Sequence, residues 1–95
     1  MFIVSLTYIK PLEEVDQHLT EYVDYLKEQY RLGNFLASGR KIPRDGGVIL
    51  AHSASREEIE AIIALDPFHI HGVADYEIIE FSPTMTSDEL VFLRE

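Results

Sequence analysis

Residues 56–72 read REEIEAIIALDPFHIHG, and how this stretch starts and stops decides how the rest of the chain is arranged. Ser55, Arg56, Glu57 and Glu58 form a capping box, a hydroxyl followed three residues later by a glutamate, which marks a helix start. Ile59, Ile62 and Ile63, joined by Leu65, recur at helical spacing and predict a core-facing stripe. Pro67 pushes Asp66 out of the helical region, so the helix is expected to stop near Leu65. The Asp66 carboxylate then lies beside the negative pole of the helix dipole, where a cation would be favoured by about 0.3–1 kcal/mol. A residue set against its local rule without local compensation marks a candidate functional group. The plainer reading of Asp66 is a turn former, since Asp-Pro is a common way out of a helix.

Strand patterns flank this helix on both sides. Upstream, Gly47–His52 carries Val48, Ile49 and Leu50; downstream, Gly72–Phe81 places Tyr76 and Ile78 on one face and Ile79 and Phe81 on the other. Earlier still, Met1–Ile9 alternates Phe2, Val4, Leu6 and Tyr8 against Ile3, Ser5, Thr7 and Ile9. That second, mixed face suggests a sheet half covered by a pocket or a partner subunit. Pro11 opens a long helix, with Glu13, Glu14 and Asp16 in its first turns, that is expected to reach Leu32 and end at Gly33-Asn34. Its apolar stripe is Val15, Leu19, Tyr22, Val23, Leu26 and Tyr30, with His18 at the margin. Phe35–Gly39 reads as a short strand and Arg40–Gly47 as a basic loop. Thr86-Ser87-Asp88-Glu89 starts a short third helix over Asp88–Arg94.

The order is therefore β-α-β-β-α-β, an α+β, ferredoxin-like split βαβ sandwich with helices on one face of an antiparallel sheet. One helical layer leaves the other face, with Ile3, Ile9, Ile79 and Phe81, too apolar to stay wet, and a face-to-face homodimer or higher homo-oligomer would cover it. The 95 residues predict one domain over 1–95, with a core at 1–83 and a tail at 84–95.

A formal net charge of −9 repels phosphate backbones and anionic lipid, so neither nucleic acid nor membrane is an expected partner. No cysteine is present, which removes disulfides, thiolate nucleophiles and Cys-type metal sites. The N-terminal MFIVSLTYIK lacks the basic start and apolar core of a signal peptide, and no apolar run approaches a membrane span, so a cytoplasmic protein is expected.

Among chemistry-bearing residues, His18 is the candidate general acid/base, because imidazole titrates near neutrality; its plainer reading is a half-exposed neighbour of the core stripe. Ser38, Gly39 and Arg40 suit a pocket lining: a hydroxyl, a backbone open to close approach, and a guanidinium able to hold a carboxylate or phenolate. Against that stands a strand end with a solvated arginine. No Gly-x-Ser-x-Gly elbow surrounds Ser38, which argues against a nucleophile. His69 and His71, two apart in an extended segment, would share one side, but two ligands fall short of a metal site and none is expected. Arg40, Lys41 and Arg44 form a cationic cluster that steers anions or simply a solvated loop.

The assembled pieces resemble the YciI-like (YCII-related) family over nearly all of residues 1–85. They are the N-terminal strand, His18-Leu19 with Tyr22, Leu36-Ala37-Ser38-Gly39, Pro43-Arg44, Gly46-Gly47-Val48-Ile49, Asp66-Pro67-Phe68, Gly72, Tyr76 and Glu80-Phe81. The resemblance implies a dimeric α+β barrel of ferredoxin-like units and a His–Asp pair that maps onto His18 and Asp66. One branch of that family eliminates chloride from a chlorinated hydroxyquinol, and relatives of the fold isomerise lactones. Many members carry Ser-Gly-Pro where this chain has Ser38-Gly39-Arg40, which alters the charge of the pocket. The combined expectation is a small cofactor-free, metal-free enzyme, a lyase or isomerase using His18 and Asp66 on a small hydroxylated or carbonyl ring compound. The alternatives are a non-catalytic dimeric small-ligand binding or sensor module and an assembly subunit.

Overall fold

A computed structural model describes residues 1–52 and 55–95. Four strands, β1 (Phe2–Tyr8), β2 (Phe35–Arg40), β3 (Gly46–Ala51) and β4 (Ala74–Glu80), form one sheet in the order β2-β3-β1-β4. Every neighbouring pair is antiparallel. The helices are α1 (Leu12–Asp16), α2 (Leu19–Arg31), α3 (Arg56–Ile63) and the single-turn α4 (Pro67–Ile70). This is the α+β, ferredoxin-like arrangement expected from the strand and helix order. Phe2, Val4 and Leu6 of β1 and Ile49 of β3 are buried against Val15, Ile59, Ile62, Ile63 and Phe68, so the strand alternation read from the sequence sets the core face.

The helix expected from Pro11 to Leu32 is two helices. The amides of Gln17 and His18 bond to carbonyls three residues back, on Glu14 and Val15, instead of four. His18 sits at φ −109°, ψ 7°, in the sparsely used bridge region. No proline or glycine lies there to announce the break. It buries Val15 fully while leaving the stripe of α2 only partly covered: Tyr22, Tyr25 and Leu26 are half-buried, and Leu19, Val23 and Tyr30 are exposed. The far end closes as expected. Gly33 adopts φ +80°, its amide donates to Tyr30 and that of Asn34 to Gln29, the two bonds of a Schellman cap.

Ser55 caps α3 through a bond from the Glu58 amide to its hydroxyl. The tail expected as a third helix over Asp88–Arg94 is a kinked 3-10 segment, Asp88–Leu93, that buries Leu93 and leaves Val91 and Phe92 exposed. On the outer sheet face Ile3 pairs with Ile79 and Leu50, and Ser5 with Val48 and Glu77. Val48, Ile79 and Phe81 remain exposed there. Among the described residues no helix is long and apolar enough to cross a membrane.

Gly46 brings β3 against β1. A β-carbon at Gly46 would overlap the Leu6 carbonyl oxygen, whereas one at Gly39 meets nothing within 4 Å. Gly46→Ala is therefore expected to lower unfolding stability by ~1–3 kcal/mol or more, the usual cost of forced backbone shifts. Gly39→Ala should cost much less in the same urea titration. Equal losses would show that β1 and β3 are not held this closely.

Candidate functional site

The segment after α3 folds differently from the sequence expectation, and the difference places Asp66. Its backbone amide donates to the Ile63 carbonyl, closing α3. Its side chain faces forward as the N-cap of α4, with Pro67 in the first turn. One carboxylate oxygen accepts from the Phe68 amide at 2.8 Å and the other from the Tyr76 hydroxyl at 2.6 Å. The unfavourable dipole position inferred from the sequence is thus corrected, because the carboxylate serves the start of a new helical turn. Gly72, at φ +66°, ends that turn, with Gly72 donating to His69 and Val73 to Phe68. The sequence signal was present but short: Asp-Pro to start and glycine one turn later.

Asp66 is 1% exposed. Burial pushes its carboxyl above the ordinary range, while the bonds from Tyr76 and Phe68 and the nearby His69 pull it down without cancelling the rise. Burial first, and the Asp66 carboxylate second, also hold the Tyr22, Tyr25 and Tyr76 phenols well above their usual range. These hydroxyls keep their protons; Tyr25 donates to the Ile62 carbonyl at 2.8 Å and Tyr76 to the Asp66 carboxylate. Phe68, fully buried, lies under the ring of Tyr22, with centroids 4.0 Å apart and planes within 6°. Tyr8 meets the Phe68 ring edge-on.

Between α2 and the sheet lies a cavity of about 360 Å³, within the size range of small-molecule sites. Leu6, Gly46 and Gly47 line the sheet side, Leu19, Tyr22 and Leu26 the helix side, and Ser38, Gly39 and Arg40 the β2 side. Ser38 pairs with Ile49 and Arg40 with Gly47, so both lie on rows that face the helices. Tyr8, Asp16 and Arg44 complete the lining. Arg44 is bonded to Asp16 at 2.6 Å, and its guanidinium carbon lies 5.8 Å from the Tyr8 ring centroid. Ser38 shares a hydrogen bond with Tyr30.

The structure brings Ser38, Gly39 and Arg40 together on the cavity wall, and it holds His18 and Asp66 outside that lining. The His18 ring stacks on His71 at 3.8 Å, with Nδ1 3.9 Å from Glu21. The Asp66 carboxylate bonds go to Phe68 and Tyr76, and none joins it to His18. The link between them is α4, whose first turn Asp66 caps and whose last residue leads into His71. His69 and His71, expected side by side in an extended segment, diverge because that segment is helical: His69 packs edge-on against Tyr76 and His71 stacks on His18.

Glu21 and His71 were not anticipated as companions of His18. Ligand atoms of His18, Glu21 and His71 lie within 4.8 Å of one another, a donor set suited to zinc or copper. The two ring planes are within 11° of parallel, however. In-plane nitrogen lone pairs of stacked rings do not converge on one ion at about 2.0–2.1 Å, so one ring must turn before both could bind it.

The YCII-related domain family model matches residues 1–82. No curated protein matches the sequence. Among solved structures, the chain is similar to the 5-chloro-2-hydroxyhydroquinone dehydrochlorinase of Burkholderia phenoliruptrix in complex with 2,5-dihydroxybenzoquinone. The two share 14% identity over 86% of this chain and 94% of that one, with a TM-score of 0.72, a likeness of fold.

The Asp66 shift has a sign that melting can read. A carboxyl whose folded pKa is raised adds stability that is complete below the unfolded pKa, about 3.9, and is lost as pH rises through the folded value. Asp66→Asn keeps an acceptor for the Phe68 amide and removes this dependence. Between about pH 4 and about pH 7 the Tm difference should move in favour of the variant. Movement in favour of the natural chain would mean that the two hydrogen bonds outweigh burial.

Proposed function

We propose that this chain, which belongs to the YCII-related domain family, is a small enzyme performing acid/base elimination or isomerisation on a hydroxylated or carbonyl ring compound. The observation that carries this reading is the cavity under α2. It has ring-sized volume, an apolar floor at Leu6, Gly46 and Gly47, a Tyr22 ring on one wall and the Ser38 hydroxyl on another. Apolar walls with a few placed polar groups are the usual form of a small-molecule site. The ligand of the structural relative, a dihydroxylated quinone, is a compound of this class.

In this proposal His18 moves the proton. It lies in the chain between Asp16 and Leu19, both of which line the cavity, and the proposal requires its ring to turn from the His71 stack toward that cavity. Elimination then takes a proton from ring carbon to imidazole, the C–H electrons form the new double bond, and the leaving group departs with its bonding pair. Asp66 is a positioning residue, holding α4 and with it the resting place of the His18 ring on His71. The proposal includes a homodimer formed by the outer sheet face, where Val48, Ile79 and Phe81 are exposed.

A second reading, a ligand-binding module without chemistry, is favoured by one specific observation: among the described residues, the cavity lining contains no imidazole. The two readings separate on His18→Asn. Catalysis by His18 requires turnover of chlorinated hydroxyquinols or hydroxylated lactones to fall by about 10²–10⁴. Affinity for 2,5-dihydroxybenzoquinone, read by calorimetry, should stay within a few-fold. Unchanged turnover would remove His18 from the chemistry. Ligand binding with no turnover across that panel by the natural chain would leave the binding module.

A further inference from the structure

Resting on the reading of the cavity as a ligand site, we infer that it selects ring compounds bearing an anionic substituent, a carboxylate or phenolate, and that Arg40 is the specificity-determining residue. The argument begins with the arginines. The chain has five. Arg31 pairs with Glu28, Arg44 with Asp16 and Arg56 with Glu60, while Arg94 donates to Thr86. Arg40 alone has no hydrogen-bond or ion-pair partner among the described residues. Yet the chain carries seventeen carboxylate side chains against eight lysines and arginines, so partners are plentiful. A guanidinium left open in an acidic protein is available to an external anion.

Its position makes the openness specific. Arg40 stands opposite Gly47, which in turn stands opposite Leu6, so these three form one row across the sheet on the cavity side. Glycine at position 47 leaves that row without a side chain between Arg40 and Leu6. The other cavity cation, Arg44, is neutralised by Asp16. A neutral ring therefore finds apolar contacts and hydroxyl donors, but only an anionic ring also meets an unpaired charge. A guanidinium is suited to holding carboxylate or phenolate oxygen through paired N–H donors. The overall charge of −9 repels anions from the surface generally, so selection for an anion has to be made locally.

The test compares two probes that share a ring and differ in charge, 2,5-dihydroxybenzoate and 2,5-dihydroxybenzamide, by calorimetry on the full chain. The natural chain is expected to prefer the benzoate by about tenfold or more, the yield of one good charge-assisted contact. Arg40→Gln should abolish the preference while leaving the benzamide unaffected, and Arg40→Lys should restore part of it. Arg31→Gln makes the same change in net charge away from the cavity and should leave the preference intact. Equal affinities in the natural chain, or a preference that survives Arg40→Gln, would overturn the inference while leaving the His18 chemistry standing. Failure of both probes to bind would overturn it together with the cavity as a ligand site. No turnover enters the readout, so loss of the enzymatic reading alone would not alter the result.

Discussion

The Asp66 carboxylate, bonded to the Phe68 amide and the Tyr76 hydroxyl, is the interaction on which the arrangement around the cavity depends. It joins the end of α3, the start of α4 and the middle of β4. Removing a carboxylate from water costs several kcal/mol even after relaxation. Hydrogen bonds to a charged group return about 1.5–3 kcal/mol each. Two such bonds return about as much as burial removes, and the upward shift records that burial prevails. The group therefore acts as a joint that fixes the start of α4 through two hydrogen bonds held against the cost of burial.

From that joint two consequences run outward. Phe68, set by the cap, forms the seat on which Tyr22 stacks, and Tyr22 is a wall of the cavity. The last turn of α4 carries His71 to His18. Asp66 thus reaches both the ligand space and the imidazole without touching either. The break at His18 complements this. Because α1 turns inward to bury Val15 while α2 begins afresh, α2 lies over the sheet with its apolar stripe only partly covered. The cavity is the gap left by a helix whose stripe exceeds its core contacts, and glycine at position 47 keeps the sheet side of that gap empty.

Much of this was legible in the residues. The alternation of Phe2, Val4 and Leu6, the isoleucines of α3 and the Gly33-Asn34 stop gave the layers correctly, because each follows from a local period or cap that tertiary packing reinforces. Ser38, Gly39 and Arg40, which the sequence allows either as a pocket lining or as a strand end with a solvated arginine, border the cavity. The break at Gln17-His18 was not legible, since no breaker residue marks it and burial of Val15, a long-range effect, favours it. The single turn of α4 was hidden because four residues are too few to show a period. Missing that turn made Asp66 look dipole-opposed and His69 and His71 look paired. The stack of His18 on His71 joins residues 53 positions apart in the chain, beyond the reach of any local pattern.

The most direct test of the joint is an NMR titration that follows the Phe68 amide and the Tyr22 ring resonances in the same samples. If Asp66 holds the Phe68 amide and sets the Phe68 seat beneath Tyr22, both signals should move together, with one midpoint above the ordinary carboxylate range. A Phe68 amide that titrates with an ordinary carboxylate midpoint, while Tyr22 stays still, would contradict the account.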